Sequence, residues 1–354
     1  MTILGTQPEI IRLNLIIKKL DQYADSHSAH WTKFHLILKR NILPTVTGKE
    51  PLNQQQTLGE QLAAIFSKLE TNFLNEKPDK VLVLGDTNSG LSSILAEIMG
   101  IPVIHMEAGN RCFDLEVPEE KNRRIIDAVS SFNLPYTPQS KENLLNEGIP
   151  SKRIYISGNP ICEVLNHYDN EIGKSVILEK LNLDKEDYFL VTAHRAENVD
   201  HEDRLLEIMK GINSVAETYQ KRIICSLHPR TKSRIELSPK LEVLPLIEFH
   251  EPFGFFDFVK LEKNAFCVLT DSGTVQEECC LFHVPTVTIR KTTERPETIE
   301  SGSNILSGIN AKQIVNCVKV MVNQQKNWTF PEGYNHKNVS DKVLKIILGG
   351  HEID

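Results

Sequence analysis

The sequence has no apolar run near the ~20 residues that a membrane-spanning helix needs, and it has no basic excess. Its 40 Lys and Arg stand against 47 Asp and Glu, a net charge of −7. The first absence, with 40% apolar and 25% charged residues, fits an ordinary soluble enzyme. The second argues against a nucleic-acid partner, which demands a basic face. An anionic small molecule would have to be held by a local nest of backbone N–H groups and a few Arg or His. Met1 leads at once into an apolar strand end, with no room for a basic n-region and an apolar h-region, so a cytoplasmic protein is expected. The seven cysteines contain no C-x-x-C pair, and the adjacent Cys279-Cys280 reads as helix packing in preference to a thiophilic metal site. Reduced packing residues are expected, and no metal. There is neither a Walker loop nor a G-x-G-x-x-G, so an NTPase or a dinucleotide dehydrogenase would lack its signature.

What is present is a strand and helix rhythm, stated twice. In the first half, strands are expected at the N-terminus, Lys33–Lys39, Val81–Leu84, Pro102–Met106, Phe132–Leu134 and Arg153–Ser157, with amphipathic helices at Gln7–Tyr23, Thr57–Asn75, Gly90–Met99, Glu119–Ser130, Ser140–Glu147 and 160–167. Residues 40–56, with Pro44, Gly48, Pro51 and a Gln run, read as a loop. A polar stretch over 168–188 marks a boundary. The rhythm then repeats, with strands at Phe189–Thr192, Arg222–Leu227, Val243–Ile247, Phe266–Leu269 and Pro285–Ile289, and helices at Asp203–Tyr219, Phe255–Lys263, Thr274–Phe282 and Ala311–Gln324. The expected fold class is α/β, two doubly wound Rossmann-like domains facing across a cleft. The expected domains are 1–168, carrying acids, and 169–335, carrying an anion site, with a C-terminal helix in 336–354 returning to the first.

In the central stretch VLVLGDTNSGLSSILAEIMGIPVIHMEAGNRCFDLEVPEEKNRR, two strands end at the carboxylates Asp86 and Glu107, and Glu119 follows. Strand C-termini in a parallel sheet open onto the ligand crevice, so these acids form a site-like arrangement. The competing reading is that Asp86 and Glu107 are helix N-caps. In the second half, a strand ends at Thr270 and Asp271-Ser272-Gly273-Thr274 opens a helix, where N–H groups and the helix dipole could dock a phosphate. Glu278 lies one turn further in, where an acid could accept ribose hydroxyls. An ordinary Ser or Thr N-cap is the competing reading there. His194 ends a strand among charged neighbours and is the candidate for proton transfer. His228, before Pro229-Arg230, could contact a pyrophosphate or base, and His105, inside an apolar strand, reads as a satisfied core histidine.

The stretches GTQPEIIRL, GDTNSGL, HMEAGNRCFD, VPEEKNRR, SGNP, TAHRAENVD, LHPRT, LTDSGTVQEE and TTERPE occur in this order along nearly the whole chain. Together they resemble the non-hydrolysing UDP-N-acetylglucosamine 2-epimerase family, whose fold is the two-domain glycosyltransferase-B type. The resemblance implies inversion at C2 of a UDP-linked 2-acetamido sugar by elimination of UDP and its re-addition to a glycal, with no cofactor. By matching motif, it implies Asp86, Glu107, Glu119 and His194 as the acid/base set. It likewise implies Ser272, Gly273 and Thr274 at the diphosphate, Glu278 at the ribose, Arg295 at the sugar or phosphate, His228 as a nucleotide contact, and Arg12 as the basic residue of the first helix. The implied partners are a UDP-sugar and a second copy of the chain in a homodimer. The stretches NRCFD, AHRAENVD, PFGFFDFVKL and SGTVQEE look closest to a branch that converts UDP-2-acetamido-2,6-dideoxy-L-talose to the L-fuco epimer for surface polysaccharide.

Two departures stand out. The family's G-T-R-P-E reads here with Gln7 in place of Arg, and its H-T-G-Q segment after the second strand is missing from the rewritten 39–56 region. Loss of regulation or reduced activity are the readings these departures suggest, and a UDP-sugar binder without turnover is the alternative function. A hydrolysing 2-epimerase and a glycosyl transferase are the other two. The GTQPE start argues against the former, and the acids of the central stretch fit the latter poorly.

Overall fold

The computed structural model describes residues 1–24, 57–193, 198, 201–227, 231, 234–235 and 243–349, together with the backbone of 28–30. The expected strand Lys33–Lys39 and the loop over 40–56 lie outside the described residues. The chain divides into two compact units, one of residues 1–164 and 332–354, the other of residues 165–331. Among the described residues, no helix is long and apolar enough to cross a membrane.

The first unit is built on a parallel sheet of β1 (Thr2–Leu4), β2 (Ser28–His30), β3 (Val81–Leu84), β4 (Val103–Met106) and β5 (Phe132–Leu134), in the order β2-β1-β3-β4-β5. Strands β3 and β4 are buried along their whole length, as expected where helices cover both faces of a parallel sheet. The helices are α1 (Gln7–Tyr23), α2 (Leu58–Glu76), α3 (Ser92–Ile98, after a 3-10 turn at Asn88–Leu91), α4 (Pro118–Val129), α5 (Pro138–Asn146) and α6 (Ile161–His167). A capping box between Thr57 and Glu60 starts α2, and its Ile65, Leu69 and Phe73, spaced by four, pack on Ile3, Val81 and Val83. The opposite sheet face meets Ile10, Leu13, Ile16 and Ile17 of α1 together with Val339 and Val343 near the C-terminus.

The second unit holds β6 (Tyr188–Thr192), β7 (Arg222–Ser226), β8 (Ile247–His250), β9 (Cys267–Thr270), β10 (Thr286–Thr288) and β11 (Asn304–Leu306), all parallel, in the order β11-β10-β9-β6-β7-β8. Its helices are α7 (Asp169–Gly173), α8 (Ile177–Leu181), α9 (Glu202–Tyr219), α10 (Phe255–Asn264), α11 (Gly273–Phe282), α12 (Pro296–Glu300) and α13 (Ala311–Asn323), and α14 (Val339–Leu348) closes the chain in the first unit. Helices α9 and α13 fill one face, with Ile212, Val215, Ile314 and Val318. Helices α8, α10 and α11 fill the other, with Ile177, Leu261, Val275 and Cys279. All seven cysteines are free thiols, and Cys279 and Cys280 are buried.

Two expected strands are corrected. Over Arg153–Ser157 there is a 3-10 turn at Ser151–Arg153 and a single bridge from Ile154 to Asn133. The alternating RIYIS stretch lies along β5 through two backbone bonds, Tyr155 N–H to Asn133 C=O and Ser157 N–H to Pro135 C=O, both 3.0 Å, short of a ladder. The strand expected at Val243–Ile247 begins only at Ile247. Pro245 has no N–H to donate, and Ile247 N–H closes a turn onto Leu244 C=O at 2.9 Å.

Candidate functional site

In a doubly wound sheet, the crevice lies where consecutive connections leave to opposite sides. In the first unit that point is between β1 and β3, since β1 is flanked by β2 on one side and β3 on the other. The two strand ends approach closely there. A Cβ added to Gly5, just after β1, would sit 2.2 Å from Ser89 Oγ and 2.6 Å from Thr87 Oγ1 and would have to displace both hydroxyls.

The acid Asp86 follows β3, and Arg123 of α4 donates from Nη2 to its Oδ2. Asn122 Nδ2 donates to Asp86 C=O at 3.0 Å and to Asn88 Oδ1 at 3.1 Å. Glu107 follows β4 with φ of 66°, a left-handed conformation that costs a non-glycine residue on the order of 1 kcal/mol or more and clusters at functional sites. It is buried, and Arg12 of α1 donates to it from Nη1. Neither acid caps the element that follows: Thr87 stands at the N-cap of the 3-10 turn and Val117 at that of α4. The capping alternative for Asp86 and Glu107 is thereby removed. Glu119 sits in the first turn of α4, half-buried, and its Oε2 is buried without a hydrogen-bond partner among the described residues.

Behind these acids is a brace. His105 of β4 is fully buried, with Nδ1 2.8 Å from Asp127 Oδ1 and Nε2 2.8 Å from Gly85 C=O, the satisfied core histidine expected from the sequence. Asp127 also accepts from Gly109 N–H at 3.1 Å and pairs with Arg111 Nη2 at 2.7 Å. Burial raises the Asp127 pKa, but the hydrogen bonds and charges of His105 and Arg111 outweigh it, and the net shift is downward. His105 and Asp127 together thus tie the loop before Asp86 to the loop after Glu107.

Several members of this cluster carry no signal in the sequence. Glu120, unlike its neighbour Glu119, is fully buried, accepting from Arg123 Nη1 at 3.0 Å, Arg124 Nε at 3.1 Å and Cys112 N–H at 3.0 Å. Glu9 is buried in the first turn of α1, accepting from Gly5 N–H at 2.5 Å and Thr6 Oγ1 at 3.0 Å. Burial first, and weakly the charge of Asp86, push its pKa up to about 7.

In the second unit the crevice lies between β6 and β9. The hydroxyls of Thr192 and Thr270 meet there at 2.6 Å. Ser272 occupies the N-cap of α11 but makes no side-chain capping bond, so the ordinary-cap reading does not hold. Ser272 N–H donates instead to Thr270 Oγ1 at 3.0 Å. A Cβ on Gly273 would lie 3.5 Å from Arg295 Cζ, which puts that guanidinium over the helix start, beside Ser272 and Thr274. Glu277 accepts from Arg295 Nε, and Thr293 Oγ1 accepts from Arg295 N–H at 3.1 Å while donating to Gln276 Oε1 at 2.7 Å. A helix N-terminus, a glycine and a fixed Arg converge on one point, an arrangement suited to a phosphate. Glu278 is buried further along α11. His194 and His228 lie outside the described residues; four residues after His194, Asn198 Nδ2 donates to Asp271 Oδ2 at 3.2 Å.

The sequence matches the UDP-N-acetylglucosamine 2-epimerase family over residues 38–348. A UDP-N-acetylglucosamine 2-epimerase of Methanocaldococcus jannaschii is 41% identical over 369 residues, with 98% of each chain covered. The crystal structure of the UDP-GlcNAc 2-epimerase of that organism, in complex with UDP-GlcNAc and UDP, superposes with a TM-score of 0.90 at 40% identity, covering 99% of both chains. The UDP-N-acetylglucosamine 2-epimerase of Rickettsia bellii superposes with a TM-score of 0.92 at 37% identity, covering 99% of this chain and 96% of that one. WaaG, a glycosyltransferase involved in lipopolysaccharide biosynthesis, shares the fold alone, with a TM-score of 0.61 at 13% identity over 99% of this chain and 100% of that one.

Proposed function

This chain belongs to the UDP-N-acetylglucosamine 2-epimerase family, and on that premise we propose that it inverts C2 of a UDP-linked 2-acetamido sugar. The C2 proton and the C1–O bond to UDP are lost together to give a glycal and UDP. A proton is then returned to the opposite face of C2, and UDP re-adds at C1. Two groups must act on opposite faces, which an array of carboxylates supplies. Asp86, Glu107, Glu119 and His194 are the proposed acid/base set, with Arg12 fixing Glu107. Ser272, Gly273, Thr274 and Arg295 take the diphosphate, Glu278 the ribose, and His228 a further nucleotide contact.

The observation that carries this reading is the pair of acids on neighbouring strand ends, each tied to its own Arg, Asp86 to Arg123 and Glu107 to Arg12. Neither serves as a helix cap, and Glu119 follows with a buried oxygen that no described residue engages. The proposed substrate is UDP-GlcNAc, which the relatives' names support, or UDP-2-acetamido-2,6-dideoxy-L-talose, which the NRCFD, AHRAENVD, PFGFFDFVKL and SGTVQEE stretches support. A cytoplasmic homodimer serving surface polysaccharide synthesis completes the proposal.

Proton NMR in D2O, run with UDP-GlcNAc and with the 6-deoxy-L-talo UDP-sugar, tests it. Deuterium at C2 of an inverted UDP-sugar is the expected result, and whichever compound turns over is the substrate. Accumulation of free UDP and a released sugar indicates the hydrolytic reaction. UDP binding without exchange in either compound indicates that the changes at Gln7 and in 39–56 have left a binder. Asp86→Asn and Glu107→Gln are each expected to abolish exchange while leaving UDP affinity within a few-fold; exchange surviving in both variants removes these acids from the proposed roles.

A further inference from the structure

Glu262 lies in the last turn of α10, is fully buried, and receives no hydrogen bond at either carboxyl oxygen from any N–H or O–H donor among the described residues. Leu261, next to it in sequence, belongs to an apolar cluster with Tyr188, Ala265, Val268 and Cys279, and the charge of Glu262 bears on Tyr188 and Cys279. The Tyr188 hydroxyl does not serve it, because it donates to Leu261 C=O at 2.6 Å. What faces Glu262, from the neighbouring α11 and within hydrogen-bonding reach, is the carboxyl of Glu278. An ionised carboxylate with no donor in apolar surroundings is too costly to persist. Two facing carboxyl groups solve the problem by sharing one proton, since both cannot ionise side by side.

We propose that Glu262 is a positioning residue that keeps a proton and donates it in a hydrogen bond to Glu278, holding Glu278 as a fixed, ionised acceptor for the nucleotide's ribose. The proton is assigned to Glu262 because both of its carboxyl oxygens are buried without a donor. Among the described residues, Cys279 from α11 and Tyr188 from β6 are further ionisable groups that feel the Glu262 charge. No cation is among the causes of the Glu262 shift, in which burial first and then the charge of Glu278 push its pKa well above the usual carboxylate range. The inference rests on the reading of Glu278 as the ribose acceptor proposed above.

Two substitutions separate a positioning role from a packing role. Glu262→Gln keeps an N–H donor toward Glu278, whereas Glu262→Met has similar length and no donor. By titration calorimetry, Glu262→Gln is expected to bind UDP within about twofold of the unaltered protein, and Glu262→Met about tenfold more weakly, the size of one hydrogen bond to a charged group. That loss should vanish when the probe is dideoxy-UDP, which lacks both ribose hydroxyls. The Met variant should melt no lower than the unaltered protein, because a buried acid is replaced by an apolar isostere. Isotope-edited infrared spectroscopy at pH 7 should show a protonated-carboxyl band that Glu262→Met lacks. Unchanged UDP affinity in Glu262→Met, or no such band, overturns the proposal. Glu278→Gln is the control for the reading beneath it. If that variant binds UDP normally, Glu278 is not the ribose acceptor, and the infrared band alone then decides whether the proton is shared.

Discussion

Arg12 and Glu107 pair across a separation of 95 residues with both side chains buried. Removing one partner from a buried pair strands the other, at a cost of roughly 3–5 kcal/mol. Arg12→Met alone is expected to show that loss in urea unfolding, and Arg12→Met with Glu107→Met to recover most of it; simple addition of the two single effects in this cycle would mean that they do not interact. Glu9 gives a prediction in pH. Its carboxyl is raised from 4.5 to about 7, so the native state binds more protons than the unfolded state between those values. Its stabilisation is complete below pH 4.5 and is lost as pH rises through about 7, on the order of 3 kcal/mol in all. Asp127, whose pKa is lowered, acts with the opposite sign, and its stabilisation is lost only in acid. Tm measured from pH 4 to 8 should fall more steeply in the unaltered protein than in Glu9→Gln, and equal slopes would refute the assignment. The place of Asp86 and Glu107 just beyond strand ends was legible in the sequence because an acid that breaks an apolar strand stands out. Glu9 and Glu120 were not, because an acid in a first helical turn is the commonest kind of acid there is.

At the scale of elements, α11 combines its N-terminus with Gly273 and the guanidinium of Arg295. The Gly273 backbone is not in the left-handed region, and an added Cβ would make ordinary contact at 3.5 Å. Gly273→Ala should therefore leave the Tm unchanged or slightly raised, since alanine is the better helix former. UDP binding should weaken at least several-fold, because the methyl stands where a phosphate would approach. Calorimetry that finds UDP affinity unchanged would place the diphosphate elsewhere. The long amphipathic helices α1, with a proline in its first turn, and α2, with a capping box, were plain in the sequence, and α1 runs over the expected Gln7–Tyr23. Short elements were not. The five residues of α12 and the three of β11 are too few for either period to show. RIYIS alternates like a strand, yet a single bridge joins it to β5.

For the whole molecule, linkage gives a simple expectation. UDP that binds the folded chain and not the unfolded one, added at about a hundred times its Kd, should stabilise it by ~2.7 kcal/mol and raise the Tm as its concentration rises. A Tm indifferent to UDP would remove nucleotide binding altogether. The alternation of apolar strands with amphipathic helices determined two parallel α/β units, and the order of the motifs determined the family, because both are carried by spacing along the chain. Tertiary structure decided which charges meet: Arg12 with Glu107, Arg123 with Asp86, Arg295 with Glu277 over Gly273, and Glu262 with Glu278. Periodicity tells how a residue faces its own element, whereas the partner of a buried charge is chosen by how elements far apart in sequence pack. A buried carboxyl such as that of Glu262 acquires its chemistry only there.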